Sequence, residues 1–204
     1  MIWVRSCLLL FLLSAVVTDS AAAQEAPELP FYLPTPVGWR TETLPFPLDF
    51  APELEYEGLE ELRFSSGMFT EVKSDFWSYA FIWWVPEGTS FSTDRLQTDL
   101  EAYFRGLNQE VAEARKFDPG DTEVKVQLEP TDTSSSEGPQ WEGTARTVDV
   151  FATRRPILLN LRIDLAECPE QGHRAAFFQL SPQPRRHNIW GVMDSMRRDF
   201  RCER

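Results

Sequence analysis

The chain has 204 residues, of which 20 are Lys or Arg and 32 are Asp or Glu, so its formal net charge is −12. Hydrophobic residues make up 42% of the chain, which is enough for a folded core and excludes a disordered or collagen-like protein. The acidic balance argues against a general nucleic-acid-binding protein, because binding to phosphates needs a basic surface.

The first 23 residues have the pattern of a secretory signal peptide. Arg5 supplies the positive charge, Cys7 to Val17 form a short apolar segment, and Ala21-Ala22-Ala23 provide the small residues of a cleavage site. We expect cleavage after Ala23 and no transmembrane segment in the mature chain. An uncleaved anchor is the alternative, but the apolar run is too short to favour it. Arg outnumbers Lys by 17 to 3, which is typical of a GC-rich bacterial genome. Together with the signal peptide, it predicts a periplasmic or secreted protein.

Cleavage would leave two cysteines, Cys168 and Cys202. An even pair in an oxidising compartment predicts one disulfide. A redox or metal-binding thiol is the alternative, but the chain has no Cys-x-x-Cys and only two histidines, His173 and His187, as imidazole partners. We therefore predict a structural disulfide, and neither a metal nor a cofactor.

Residues 24–36 contain four prolines, which predict an extended N-terminal arm that leads into a single domain over residues 37–204. Phe31, Tyr32 and Leu33 are the side chains expected to dock this arm. Residues 38–47 mix aromatic residues with prolines, a composition that predicts an edge strand or an irregular loop.

Five glutamates follow within a short stretch. A calcium site is one interpretation, but the dedicated Asp/Asn-Gly spacing is missing, so the pattern favours a solvated acidic face. The five are Glu53, Glu55, Glu57, Glu60 and Glu61.

Residues 76–85 read FWSYAFIWWV and predict a strand that is apolar on both faces. Such a strand is central in its sheet and covered on both sides. Its aromatic ladder favours core packing. The alternative is the lining of a ligand groove, with Trp77, Tyr79 and Trp83 as candidate contacts.

The rest of the chain predicts a helix, four strands and a second helix. The first helix extends from about residue 92 to 107, is capped by Ser92, and buries a stripe at Leu96, Leu100, Phe104 and Leu107. Polar residues 108–120 are expected to continue it as frayed helix. Alternating patterns predict successive antiparallel strands at about residues 124–129, 142–151, 157–165 and 173–180, with a surface loop over 131–140. A helix over about 188–200 closes the chain. The fold class is therefore α+β, an antiparallel sheet with helices packed on it.

Two short motifs extend this interpretation: Pro36-Val37-Gly38-Trp39 before the first strand, and the closing segment Asp194-Ser195-Met196-Arg197-Arg198-Asp199-Phe200. Together with the order of elements over residues 37–202, they resemble the Mog1/PsbP-type α/β sandwich. This resemblance implies an accessory or binding module rather than an enzyme.

Charge is distributed unevenly along the chain. Residues 24–150 carry 9 basic and 25 acidic side chains, whereas residues 151–204 carry 10 basic and 6 acidic side chains. Three arginine pairs, Arg154-Arg155, Arg185-Arg186 and Arg197-Arg198, could bind an anionic partner or ligand. The favoured alternative is that these arginines pair with the chain's own acidic half, residues 24–150.

Motifs of specific chemistry are missing from the sequence. It contains no Gly-x-Ser-x-Gly, no His-Glu-x-x-His, no phosphate-binding loop and no dinucleotide fingerprint. We therefore predict an exported, non-catalytic binding or accessory protein that acts on a protein partner or a small ligand. One alternative is an envelope hydrolase with His173 or His187 as base. Another is a structural or oligomeric envelope component whose arm docks on a neighbour through Phe31 and Tyr32.

Overall fold

The structure is a computed structural model, and it describes residues 28–120, 122–131 and 140–203. The predicted signal peptide, its cleavage site, the start of the arm and most of the 131–140 loop lie outside the described residues. Within the described part of the chain, no helix is both long enough and apolar enough to cross a membrane.

Seven strands form one antiparallel sheet in the order β1-β2-β3-β7-β6-β5-β4, so the predicted α+β class is confirmed. One helix follows β3 and the other follows β7. The strands are β1 (Arg40–Pro45), β2 (Leu59–Phe64), β3 (Tyr79–Pro86), β4 (Lys125–Pro130), β5 (Trp141–Val148), β6 (Pro156–Cys168) and β7 (His173–Ser181), and the helices are α1 (Thr93–Arg115) and α2 (Asn188–Asp199).

Strand β3 is the central aromatic strand that the sequence predicts. It pairs with β2 on one side and with β7 on the other, and all its residues from 79 to 85 are buried. Its odd-numbered side chains pack in the core beneath α1, whereas Ala80, Ile82 and Trp84 pack on the opposite face with α2. The strand begins at Tyr79 rather than at Phe76, because Trp77 has a left-handed backbone (φ 49°) that cannot continue a strand.

Helix α1 begins and packs as predicted but is longer. The Ser92 hydroxyl accepts a hydrogen bond from the backbone amide of Arg95 at 3.3 Å, which caps the first turn. The helix continues regularly to Arg115 and ends where Lys116 takes a left-handed conformation. Residues 108–115, predicted as frayed, are therefore part of the regular helix.

Helix α1 also covers the free edge of the sheet at β4. The Gln97 side chain accepts from the amide of Leu128 at 2.8 Å, and the Glu101 carboxylate accepts from the amide of Val126 at 3.1 Å. Unpaired amides on an edge strand are a template for aggregation. Two helix side chains therefore satisfy amides that would otherwise be open to another strand.

The arm before β1 docks on the α2 face of the same chain. Phe31 and Leu33 are buried, and the Phe31 ring lies 4.8 Å from the Trp84 ring between their centroids. Tyr32 exchanges backbone hydrogen bonds with Arg201, while its side chain is 48% exposed. The predicted docking is confirmed for the side chains of Phe31 and Leu33, and Tyr32 contributes through its backbone.

The predicted disulfide is confirmed. Cys168 at the end of β6 is bonded to Cys202 just after α2, with their Cα atoms 5.5 Å apart. Because the bond joins residues 34 positions apart, it restricts the unfolded chain and holds the end of α2 against the sheet.

Replacing both cysteines with serine is expected to lower the free energy of unfolding by about 4 kcal/mol, which is the loop-closure term for a loop of this length. Urea unfolding of the double variant Cys168→Ser/Cys202→Ser measures it. Wild type unfolded in a thiol reductant is the matched control and should show the same midpoint as the variant. Equal midpoints for oxidised wild type and the variant would contradict a stabilising disulfide.

Candidate ligand-binding pocket

A largely apolar cavity of about 480 Å³ lies between α1 and the first three strands of the sheet. Helix α1 packs along β4 and β5. On the same face of the sheet, β1–β3 are therefore covered mainly by loops, and the cavity forms there. The lining comes from β1, β2, the start of β3, the segment before β3, the second half of α1 and one residue after β5: Arg40, Thr41, Glu42, Leu44, Phe50, Leu62, Phe64, Met68, Phe69, Trp77, Tyr79, Tyr103, Leu107, Glu110, Val111 and Phe151.

Aromatic rings form most of the cavity wall and hold one another in place. The Phe151 ring centroid lies 5.2 Å from that of Phe69 and 5.6 Å from that of Trp77. The rings of Phe64 and Tyr79 are 5.9 Å apart. A concave apolar site with a few polar groups is the usual form of a small-molecule site.

One carboxylate positions both Trp77 and Phe151. Asp149, at the end of β5, accepts the Trp77 indole N–H at 2.7 Å and the backbone amide of Phe151 at 3.0 Å. It also accepts from the amides of Ala152 and Thr153 and from the Thr153 hydroxyl. Burial opposes its ionisation, but these hydrogen bonds outweigh burial and lower the pKa of Asp149. This wall of the cavity is therefore built around a charged, fully hydrogen-bonded carboxylate.

A second carboxyl group, Glu60 of β2, is completely buried next to the cavity lining, where it pairs across the sheet with the lining residue Leu44. Its Oε1 atom lies 3.3 Å from the Trp83 indole nitrogen, which donates to it. Burial raises the pKa of Glu60 to about 8. Hydrogen bonding to Trp83 and Tyr103 opposes this rise, and the charge of Glu42 adds to it. Glu60 is therefore mostly protonated and uncharged at pH 7.

Two buried oxygen atoms in this region have no hydrogen-bond partner among the described residues: Tyr79 Oη and Glu60 Oε2. Tyr79 lines the cavity, and its pKa is raised by burial and by the charge of Glu60. Tyr103 reaches the same place from α1, and burial together with Glu60 raises its pKa as well. A buried polar group without a partner costs about 1–3 kcal/mol, which a suitable ligand group would recover.

Charged side chains stand at the mouth of the cavity. Glu42 on β1 and Glu110 on α1 are exposed carboxylates, and Arg40 is the exposed cation. The guanidinium of Arg40 lies 4.6 Å from the centre of the Phe69 ring, an attractive arrangement. Carboxylates thus outnumber cations around the opening.

The aromatic residues singled out from the sequence occupy different positions relative to this cavity. Trp77 and Tyr79 line it. Trp83 is fully buried behind it, with its ring 4.5 Å from Phe178 and its indole N–H directed to Glu60. The favoured interpretation of the ladder, core packing, is confirmed by burial, and two of its members also face the cavity.

The candidate arginines lie against different elements. Arg154 stacks over Phe117 at 4.6 Å, and Arg155 pairs with Glu71. Arg185 stacks over Trp190 at 4.3 Å and donates to a backbone carbonyl of β6, and burial lowers its pKa to about 10. Arg186 is exposed.

Of the six arginines singled out from the sequence, Arg155 pairs with an acidic residue of the 24–150 region, Glu71, and Arg197 pairs with Asp164 of its own region. Two further arginines of the basic region also form ion pairs: Arg162 with Glu142 and Asp194, and Arg174 with Glu167.

The two histidines flank opposite ends of β7. His187 accepts the amide of Ile189 at 3.2 Å and caps α2. The His173 ring lies flat against Trp84, with 5.0 Å between ring centroids. Nine residues of extended chain span about 30 Å, so the two imidazoles do not meet in one site.

The expected solvated acidic face is confirmed for three glutamates and wrong for two. Glu53, Glu55 and Glu57 are exposed, whereas Glu60 and Glu61 are buried. The reason is that β2 is covered on both faces: Glu60 points toward the cavity side, and Glu61 points to the α2 side, where it pairs with the buried Arg63. Among the residues that the structure describes, no group of three or more His, Cys, Asp or Glu side chains could hold a metal ion.

Glu60 and Tyr103 are among the residues in or beside the site that sequence reasoning did not assign to it, as are Asp149 and Phe151. A signal for Glu60 exists, because in a strand it shares a face with Leu62 and Phe64. Tyr103 precedes the buried Phe104 in α1, and nothing in the helical pattern distinguishes it from a core residue.

No protein-family model, curated protein or solved structure matches this chain.

Proposed function

We propose that this chain is an exported, non-catalytic binding protein that holds a small, largely apolar molecule in the cavity between α1 and β1–β3. The observation that carries the proposal is the Tyr79 hydroxyl, which lines an aromatic cavity and is buried without a partner in the described structure. Cavities of ~300–1,000 Å³ with apolar walls and few polar groups are typical ligand sites, and this one has about 480 Å³.

Two observations support the export part of the proposal. The N-terminal 23 residues follow the signal-peptide pattern, and the Cys168–Cys202 bond fits an oxidising compartment such as the periplasm. The aromatic strand, helix, four strands and closing helix follow the order expected for a Mog1/PsbP-type sandwich. That order supports the proposal that the chain is an accessory or binding module, as the resemblance implies.

The proposal predicts that the mature chain binds N-phenyl-1-naphthylamine, an uncharged apolar fluorophore whose emission rises in apolar surroundings. Val111→Trp places a large ring at the cavity wall, and Glu110→Trp places one at its exposed mouth. Each variant is expected to weaken binding at least tenfold, which is about 1.4 kcal/mol. Fluorescence titration measures the dissociation constants.

Val192→Trp is the matched control, because Val192 is also a half-buried helix valine but lies on α2, away from the cavity. It should bind the fluorophore like wild type. The proposal fails if wild type does not bind the fluorophore, or if the folded Glu110→Trp variant binds as tightly as the control.

A further inference from the structure

We infer that the ligand of this pocket is an amphipathic primary amine whose apolar body lies among the aromatic rings and whose ammonium group is directed toward Glu60 and Tyr79. This inference rests on the proposed binding function and adds the chemical class of the ligand. Three features carry it: the unpartnered buried oxygens, the sign of the charges around the cavity, and its aromatic walls.

The unpartnered oxygens call for a ligand group that donates more than one hydrogen bond. Tyr79 Oη and Glu60 Oε2 can both accept, and both lack a partner among the described residues. Glu60 is not itself a lining residue but lies beside the lining, because it shares the inner face of β2 with Leu62 and pairs across the sheet with Leu44, both lining residues. An ammonium group has three donors and no acceptor, so one such group can serve both oxygens.

The charges around the cavity favour a cation. The groups that surround Glu60 are Glu42 on β1, Tyr79 and Trp83 on β3, and Tyr103 on α1. Glu110 of α1 and Arg40 of β1 complete the charged groups of the lining. The two carboxylates Glu42 and Glu110 thus stand against one guanidinium, and Glu60 adds a third negative charge when it ionises, so a ligand carboxylate is repelled and an ammonium is attracted.

The aromatic walls add to this selectivity. The faces of Phe, Tyr and Trp rings carry partial negative charge and attract cations, most strongly where water is excluded. An uncharged hydroxyl in the same place has a single donor, so it would serve only one of the two unpartnered oxygens, and it would gain nothing from the rings or the carboxylates. The ammonium head therefore distinguishes the inferred ligand from an alcohol of the same shape.

Binding of an ammonium group next to Glu60 would favour the ionised carboxylate. Glu60 then releases its proton to solvent when the ligand binds, because the buried carboxyl is uncharged in the free protein below about pH 8. Affinity for an amine should therefore increase as the pH rises from 6 to 8, by up to about tenfold per pH unit. Affinity for an alcohol should not change.

The test compares three probes with one apolar body: 4-phenylbutylamine, 4-phenylbutanol and 4-phenylbutyrate. Calorimetric titration of the mature chain at pH 6 and pH 8 is expected to show the amine binding at least tenfold more tightly than the alcohol at pH 8, with the carboxylate weakest. The inference is overturned if the alcohol or the carboxylate binds as tightly as the amine.

Two variants and one control variant show which carboxyl groups cause the preference for the amine. Glu60→Gln keeps the size of the side chain but cannot ionise, so most of the preference for amine over alcohol and all of its pH dependence should be lost. Glu42→Gln, at the exposed mouth, should lose part of the preference without affecting the fold. Glu57→Gln, an exposed glutamate outside the cavity lining, should behave like wild type. A preference that persists unchanged in Glu60→Gln overturns the inference.

The outcomes separate this inference from the function on which it rests. If the fluorophore binds and is displaced equally by amine and alcohol, the pocket binds ligands and the inferred class is wrong. If neither the fluorophore nor any of the three probes binds, the proposed function fails together with the inference.

Discussion

Glu60→Gln is expected to flatten the dependence of folding stability on pH between about pH 5 and pH 8. In the folded protein the pKa of Glu60 is raised from 4.5 to about 8, chiefly by burial. The folded state then holds a proton that the unfolded state releases above pH 4.5, so wild-type stability falls as the pH rises through this window. A shift of this size corresponds to a loss on the order of 4 kcal/mol.

Urea unfolding at pH 5, 6, 7 and 8 measures this dependence. Glutamine retains an acceptor for the Trp83 indole but cannot ionise, so the variant should match wild type near pH 5 and exceed it near pH 8. Glu57→Gln changes an exposed glutamate in the same stretch and should keep the wild-type slope. If Glu60→Gln shows the same decrease of stability with pH as wild type, Glu60 is not the group that causes this decrease.

Asp149→Asn is expected to lower the free energy of unfolding by about 3–5 kcal/mol at pH 7. The carboxylate accepts five hydrogen bonds, including those from the Trp77 indole and the Phe151 amide. An asparagine turns one of the two oxygens into a donor, so at least two buried donors lose their acceptor, and bonds to a charged group are each worth about 1.5–3 kcal/mol. Because Trp77 and Phe151 are cavity walls, fluorophore binding should weaken as well.

The matched control is Asp118→Asn, since Asp118 is an exposed aspartate that accepts a single amide bond, from Gly120. It should change stability by no more than about 0.5 kcal/mol. The pKa of Asp149 is lowered in the folded protein, so its contribution is present above the unfolded pKa and is lost as the pH falls through the folded value. The gap between wild type and Asp149→Asn should therefore close below about pH 4. A small difference in the free energy of unfolding between wild type and Asp149→Asn at pH 7 would contradict the stabilising role of the Asp149 carboxylate.

The lining of the pocket could be predicted from the sequence only in part. Trp77 and Tyr79 were candidate contacts because aromatic residues at alternate positions stand on one face of a strand. The same alternation includes Trp83, which is buried behind the cavity. Periodicity assigns a face but does not distinguish a core residue from a cavity residue, because both are apolar and both point inward.

Local sequence patterns were sufficient to predict the α+β class, the central position of β3, the α1 stripe and the Cys168–Cys202 bond, and all of these are present in the structure. Each follows from a local period or from counting two cysteines, so no distant contact has to be known. Three features of the site follow instead from the folded arrangement: Glu60 is buried while Glu57 is exposed, Asp149 holds Trp77 and Phe151 together, and α1 leaves β1–β3 open. These three features depend on which strands and loops become neighbours in the folded chain, although they are far apart in the sequence. A local sequence pattern does not contain that information, because the burial and the charge state of a side chain are set by its neighbours in space.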